Sequence, residues 1–204
     1  MAYSYTYETH KTHAPIRKIA VYCGSATGNR PCYADAAKRL GKQMAQKQMQ
    51  LIYGGGGIGL MQVIAETVLE HGGSVTGVIP EPMLRQKLAH PSLTQTYVVQ
   101  TMHERKAKMA ELADAFIAMP GGYGTWEEIL ETVTWNQLGI HHKICGILNT
   151  DGYYDSLLAL LARAEHDGFM RSECRQLVLS DAEPESLLER ILTAVPTSST
   201  LWNN

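Results

Sequence analysis

A chain of 204 residues with 45% hydrophobic and 19% charged side chains can bury a sizeable core, which excludes a disordered polymer. Its formal net charge is −2 and it has no long basic run. That excludes a nucleic-acid polymer as partner, because neutralising phosphates along a strand takes clustered Lys and Arg, whereas a small anion needs few local donors.

The opening residues MAYSYTYETHKTHAP are polar and lack an apolar h-region, so no secretory signal is expected; residues 1–15 read as a flexible extension. No stretch is long and apolar enough to span a bilayer, so no membrane partner is expected. Short β-rich runs then alternate with longer helical patterns. KIAVYCG (18–24) reads as a strand, and residues 31–49 as a helix with Pro31 in its first turn. LIYGG (51–55) is a second strand, and LMQVIAETVLEHGG (60–73) a helix with a glycine C-cap signal. VTGVIP (75–80) and TYVVQ (96–100) are strands, followed by the helix MHERKAKMAELAD (102–114). AFIAMP (115–120) is a strand, residues 126–138 a helix, and KICGILN (143–149) a strand. A helix over 154–166, a strand at QLVLS (176–180) and the helix PESLLERILTAV (184–195) complete the pattern, and residues 197–204 read as a tail.

Strands alternating with helices of this length mean βαβ units. The expected fold is a single-domain α/β structure over residues 16–196, a Rossmann-like parallel sheet with helices on both faces. Ligands of such folds bind beyond the carboxyl ends of the strands. Three glycine-rich stretches leave predicted strands at that edge: GSATG (24–28), GGGGIG (54–59) and PGGYGTWEE (120–128). A strand, a glycine turn and a helix together present backbone N–H groups and a positive dipole end, which suits a phosphate. Gly121, Gly122 and Gly124 would let the backbone approach it, and Thr125 would add a hydroxyl. The plainer reading of each loop is a tight turn.

Residues 54–59 also satisfy GxGxxG through Gly54, Gly56 and Gly59, with Glu81 placed as a ribose-binding acid would be. That is the case for an NAD-dependent oxidoreductase. It is weakened because four consecutive glycines satisfy many patterns and because the match follows the second strand.

Thr125–Glu128 forms a T-x-x-E capping box, which gives Glu128 a structural role as N3 of a helix capped by Thr125. Glu127 would sit on an exposed first turn, favoured by the dipole. Trp126, Ile129, Leu130, Val133 and Leu138 follow a helical apolar pattern and read as core. Thr101–Glu104 is a second box, with Arg105, Lys106 and Lys108 close behind it. Cations near a helix start oppose the dipole, so a basic cluster there points to an anionic ligand at the sheet edge. The structural reading is a solvated face with a Glu104–Lys108 pair.

Cys23, Cys32, Cys145 and Cys174 are widely spaced with no CxxC pair, and read as reduced thiols of a cytoplasmic protein. The eight histidines show no HExxH, and adjacent His141 and His142 would point apart, so no metal site is expected.

PGGYGTWEE, with MHERKAKM before it and WNQLGIHHK after it, resembles the LOG family of cytokinin-activating enzymes, many of whose relatives carry the label "lysine decarboxylase". The resemblance covers roughly residues 17–195 and includes Cys23–Ser25, GGGGIGLM (54–61) and GVIP (77–80). It implies hydrolysis of the N-glycosidic bond of a nucleoside 5′-monophosphate, no metal or organic cofactor, and a homodimer. It assigns catalysis to Arg105 and Glu128, and phosphate binding to the backbone of Gly121, Gly122, Tyr123, Gly124 and Thr125. Substrate contact extends to Ser25, Gly56, Gly57, Lys106 and Glu127, and to Thr132 or Thr134. An ionised Glu128 at a helix N-terminus would stabilise the positive charge that grows on the ribose. Lys87 stands where relatives often have glutamate, which bears on base preference. A non-catalytic nucleotide or cofactor carrier of the same fold is the remaining alternative.

Overall fold

The structure, a computed structural model, describes residues 15–86 and 88–196. The predicted N-terminal extension, except Pro15, the C-terminal tail and Lys87 lie outside the described residues. Seven parallel strands form one sheet: β1 (Lys18–Tyr22), β2 (Gln50–Tyr53), β3 (Val75–Pro80), β4 (Gln95–Val99), β5 (Ala115–Ala118), β6 (Ile144–Leu148) and β7 (Val178–Asp181). The helices are α1 (Pro31–Gln46), α2 (Gly59–Glu70), α3 (Glu81–Arg85), α4 (Met102–Leu112), α5 (Tyr123–Gln137), α6 (Asp155–His166), α7 (Ser172–Arg175) and α8 (Pro184–Thr193).

The central strands are apolar throughout because both faces are covered. In β1, Ile19 and Val21 enter one core with α1, α2 and α8, while Ala20 and Tyr22 enter the other with α4 and α5. In β5, Ile117 and Phe116 divide in the same way. This period of two sets which face each helix can occupy. At the end of α2, Gly72 takes φ +74° and Gly73 N–H reaches Val68 O at 2.8 Å, as the glycine signal anticipated.

Strand order is β4-β3-β2-β1-β5-β6-β7. The chain builds outward from β1 in one direction, then crosses back and builds in the other from β5. The loops leaving β1 and β5 therefore diverge, and the crevice between them is the topological switch point. Gly24 N–H donates to Pro120 O at 3.0 Å and ties the two loops together at that point.

Three short segments have no counterpart in the sequence reading: α3, α7 and a 3-10 turn at Thr150–Gly152. Each is too short to show a hydrophobic period. The start of α5 also differs. The helix begins at Tyr123 with Gly122 as N-cap, so Thr125 lies inside it and no side chain caps it. The Thr125–Glu128 box does not form, and Glu128 falls in the second turn.

Candidate active site

A cavity of about 280 Å³ opens at the switch point, lined by Gly24–Gly28, Tyr33, Pro120–Gly122 and Tyr153. Ser25 is among its walls. Gly122, the N-cap of α5, is a wall residue, while Tyr123–Thr125, Arg105 and Glu128 are not, and no amide from Gly121 to Thr125 donates a hydrogen bond to a described residue. These are the orphan donors of a helix start, with the positive end of the dipole behind them. The glycines of the loop differ in what holds them there. A Cβ on Gly121 would stand 2.2 Å from Thr125 Oγ1, so packing requires that glycine. Gly122 and Gly124 have ordinary backbone angles and nothing within 4 Å of a Cβ position. The protein's own packing gives no reason for them.

One and a half turns along α5 is Glu128, nine-tenths buried. Side chains lean toward the start of their helix, so its carboxyl is carried back toward the glycine turn. Arg105, from α4, faces it with Nη1 3.4 Å from Oε1. The guanidinium is held from behind by Val78 O, within β3, at 3.0 Å and by Gly54 O, just after β2, at 2.9 Å. Burial pushes the Glu128 carboxyl up to about 7, against the opposing pull of Arg105. The helix N-terminus is expected to favour the carboxylate, and the shift runs the other way. Residue 128 is past the first turn, where the dipole has faded, and desolvation dominates.

Lys106 lies beside Arg105 and is also buried. Its ammonium pairs with Glu127 and, at 3.0 Å, with Glu131. Two cations of α4 thus meet three acids of α5, and the pairs clamp the helices together. Because Lys106 is matched by carboxylates, the free donors for an anion are the α5 amides. Thr101 does cap α4, its hydroxyl accepting from Glu104 N–H at 3.1 Å. The Glu104–Lys108 pair does not form: Glu104 accepts from Gln100 N–H at 2.8 Å, and Lys108 reaches Glu111 at 2.9 Å.

The family described as "possible lysine decarboxylase" matches residues 61–191. The chain is 49% identical over 174 residues to the probable cytokinin riboside 5′-monophosphate phosphoribohydrolase LOGL1 of Oryza sativa subsp. japonica, covering 85% of this chain and 78% of that one. It is 43% identical over 199 residues to cytokinin riboside 5′-monophosphate phosphoribohydrolase LOG2 of Arabidopsis thaliana, covering 95% and 93%. The chain belongs to the LOG family. Among solved structures it is similar to the molybdenum cofactor binding protein of Rippkaea orientalis, with TM-score 0.66, 22% identity and coverage of 86% and 95%. The Moco carrier protein of Chlamydomonas reinhardtii gives TM-score 0.66 at 20% identity, with coverage of 88% and 99%. These two likenesses concern the fold.

The remaining residues singled out by the LOG resemblance are placed unevenly. Gly56 and Gly57 lie in a loop closed over by residues 88–90: Gly57 N–H donates to Leu88 O at 2.9 Å and His90 N–H to Gly55 O at 2.9 Å. Gly57 N–H is thus taken up within the protein, and Glu81, the acid that accompanies the GxGxxG match, pairs with Arg85 at 2.6 Å on the surface. Gly54 has a different use, since a Cβ there would stand 1.6 Å from Arg105 Nη2. Thr132 is buried, donating to Glu128 O at 2.7 Å and lying 3.1 Å from the Tyr22 hydroxyl. Thr134 bonds Leu130 O at 2.7 Å and is exposed, about 120° around α5 from Glu128. The structure does not bring Thr134 to the pair. Tyr123 is 87% exposed and stacks edge-on against Trp126. Trp126, Leu130 and Leu138 are more than a third exposed, so the expected core pattern of α5 is buried at Ile129 and half-buried at Val133, and otherwise faces outward. Sequence reading missed Tyr153 and Tyr33. The signal for Tyr153 was its position in DGYYD, which leaves β6 at the same sheet edge.

Proposed function

We propose that the chain hydrolyses the N-glycosidic bond of a purine nucleoside 5′-monophosphate, of cytokinin type or AMP, to free base and ribose 5-phosphate. One observation carries this reading: the helix α5 starts with unpartnered amides beside a cavity that its N-cap Gly122 lines and, one and a half turns on, carries a buried carboxyl near pKa 7 against a fixed arginine. The close identity to phosphoribohydrolases supports it.

The glycine turn anchors the 5′-phosphate, and that remote binding energy positions C1′ along α5. As the C1′–N bond stretches, positive charge grows on the ribose and negative charge on the base. Glu128 in its carboxylate form stabilises the ribose and takes a proton from the attacking water. A pKa near the working pH suits that exchange. Arg105 holds Glu128 in place and offers its charge to the departing base. The same reading places the reaction in the cytoplasm, where Cys23, Cys145 and Cys174 stay reduced and buried. No helix among the described residues is long and apolar enough to cross a membrane. We also infer a homodimer, from the outward apolar stripe of Tyr123, Trp126, Leu130 and Leu138 on α5.

The test is chromatographic detection of free base and ribose 5-phosphate from AMP and from N6-isopentenyl-AMP, with wild type and Glu128→Ala side by side. Release by wild type and its loss in the variant is the expected outcome, and the two rates rank the bases. Nucleotide binding without release in either protein sinks the hydrolase reading in favour of a carrier.

A further inference from the structure

The cavity has a wall that the catalytic reading leaves unused. The Tyr153 hydroxyl donates to Gly121 O, and Tyr153 itself lines the cavity. Its ring is fixed on two sides: edge-on to Tyr33, centroids 5.8 Å apart, and edge-on to Tyr154 at 4.8 Å. Tyr33 in turn covers Gly28, where φ is +76° and a Cβ would stand 2.8 Å from the ring. The tyrosines therefore bridge both loops of the switch point. Tyr154 is the internal comparison. Its hydroxyl donates to Met119 O at 2.7 Å, but it is fully buried and does not line the cavity.

A trans peptide is planar, with its C=O and the following N–H pointing in opposite directions. Holding Gly121 O therefore also fixes the direction of Gly122 N–H. Gly121 and Gly122 lack Cβ atoms that would otherwise limit rotation of this peptide, so the hydroxyl supplies the restraint. A hydrogen bond accepted by the carbonyl also polarises the amide and strengthens its N–H as a donor.

We propose that Tyr153 is a positioning residue for phosphate: its hydroxyl orients the Gly121–Gly122 peptide so that Gly122 N–H is presented to the 5′-phosphate of the substrate. The inference rests on the reading that this loop takes the phosphate. It is tested with wild type, Tyr153→Phe and Tyr154→Phe, each keeping its ring. Calorimetry gives the Kd of ribose 5-phosphate, and steady-state kinetics on N6-isopentenyl-AMP give KM and kcat. In Tyr153→Phe, Kd and KM rise roughly tenfold while kcat stays within about twofold, the scale of one hydrogen bond to a charged group. Tyr154→Phe lowers Tm without moving either constant. Unchanged Kd in Tyr153→Phe, or equal shifts in the two variants, overturns the proposal. Should wild type bind ribose 5-phosphate yet release no base, the hydrolase reading fails and the Kd comparison still decides the role of Tyr153. A measurement on the unmodified protein guards against a variant that folds poorly. The Gly122 amide ¹⁵N–¹H resonance shifts downfield on titration with ribose 5-phosphate, and a resonance that stays in place overturns the proposal.

Discussion

At the scale of single residues, Glu128 is held where its charge is costly. Its folded value near 7 lies above the ordinary 4.5, so the native protein binds a proton that the unfolded chain has released. The stability this group contributes is full below about 4.5 and is lost as pH rises through 7. A shift of this size corresponds to about 3 kcal/mol. Glu128→Gln removes the titration, so its Tm relative to wild type should climb steadily between pH 5 and pH 8. A Tm difference that is flat over this range means that Glu128 does not titrate there. A site that costs stability for the sake of a poised acid is a common trade.

Within elements, glycines that look alike in the sequence have different causes. Gly54 makes room for the Arg105 guanidinium, and Gly124 has open space around it. Gly54→Ala must displace Arg105 from a buried carboxylate, a loss of about 3 kcal/mol or more in urea unfolding. Gly124→Ala lies in the first turn of α5 and should hold or raise stability, by up to about 1 kcal/mol, while weakening nucleotide binding. Equal destabilisation by both would mean that Gly124 is a packing glycine. Helix α5 itself has three faces. Ile129 is buried against the sheet, the acids at 127, 128 and 131 face α4, and the aromatic and leucine stripe faces out.

For the whole molecule, that stripe predicts association. Light scattering of the purified protein should give twice the chain mass of 22.5 kDa. Leu130→Glu should shift it toward the monomer, since a buried unpaired charge is strongly unfavourable in an apolar contact. A monomeric wild type would leave the exposed apolar side of α5 to another partner.

The alternating pattern of strands and helices determined the fold class, because period-two and period-3.6 runs are local properties of the chain. The glycine turns and the basic pair at 105–106 stood out for the same reason, but the pair meets the acids of α5 rather than an open anion site. The LOG resemblance selected Arg105 and Glu128 from among these candidates. Other features were not legible in this way. Thr125 and Glu128 fit a capping box on paper, yet the helix starts two residues before Thr125 because Gly122 caps it. Four glycines at 54–57 fit a dinucleotide loop, but residues 88–90 close over it. The elevated pKa of Glu128 and the seat of Arg105 come from burial and from the carbonyls of Gly54 and Val78, which the fold alone brings together. Tyr153 meets Gly121 across 32 positions. The sequence by itself decided the strands and the longer helices, though not α3, α7 or the turn at Thr150–Gly152. The tertiary structure decided how far the Glu128 carboxyl is desolvated and which groups hold Arg105 and Gly121 O, because both depend on solvent exclusion and on contacts between distant segments.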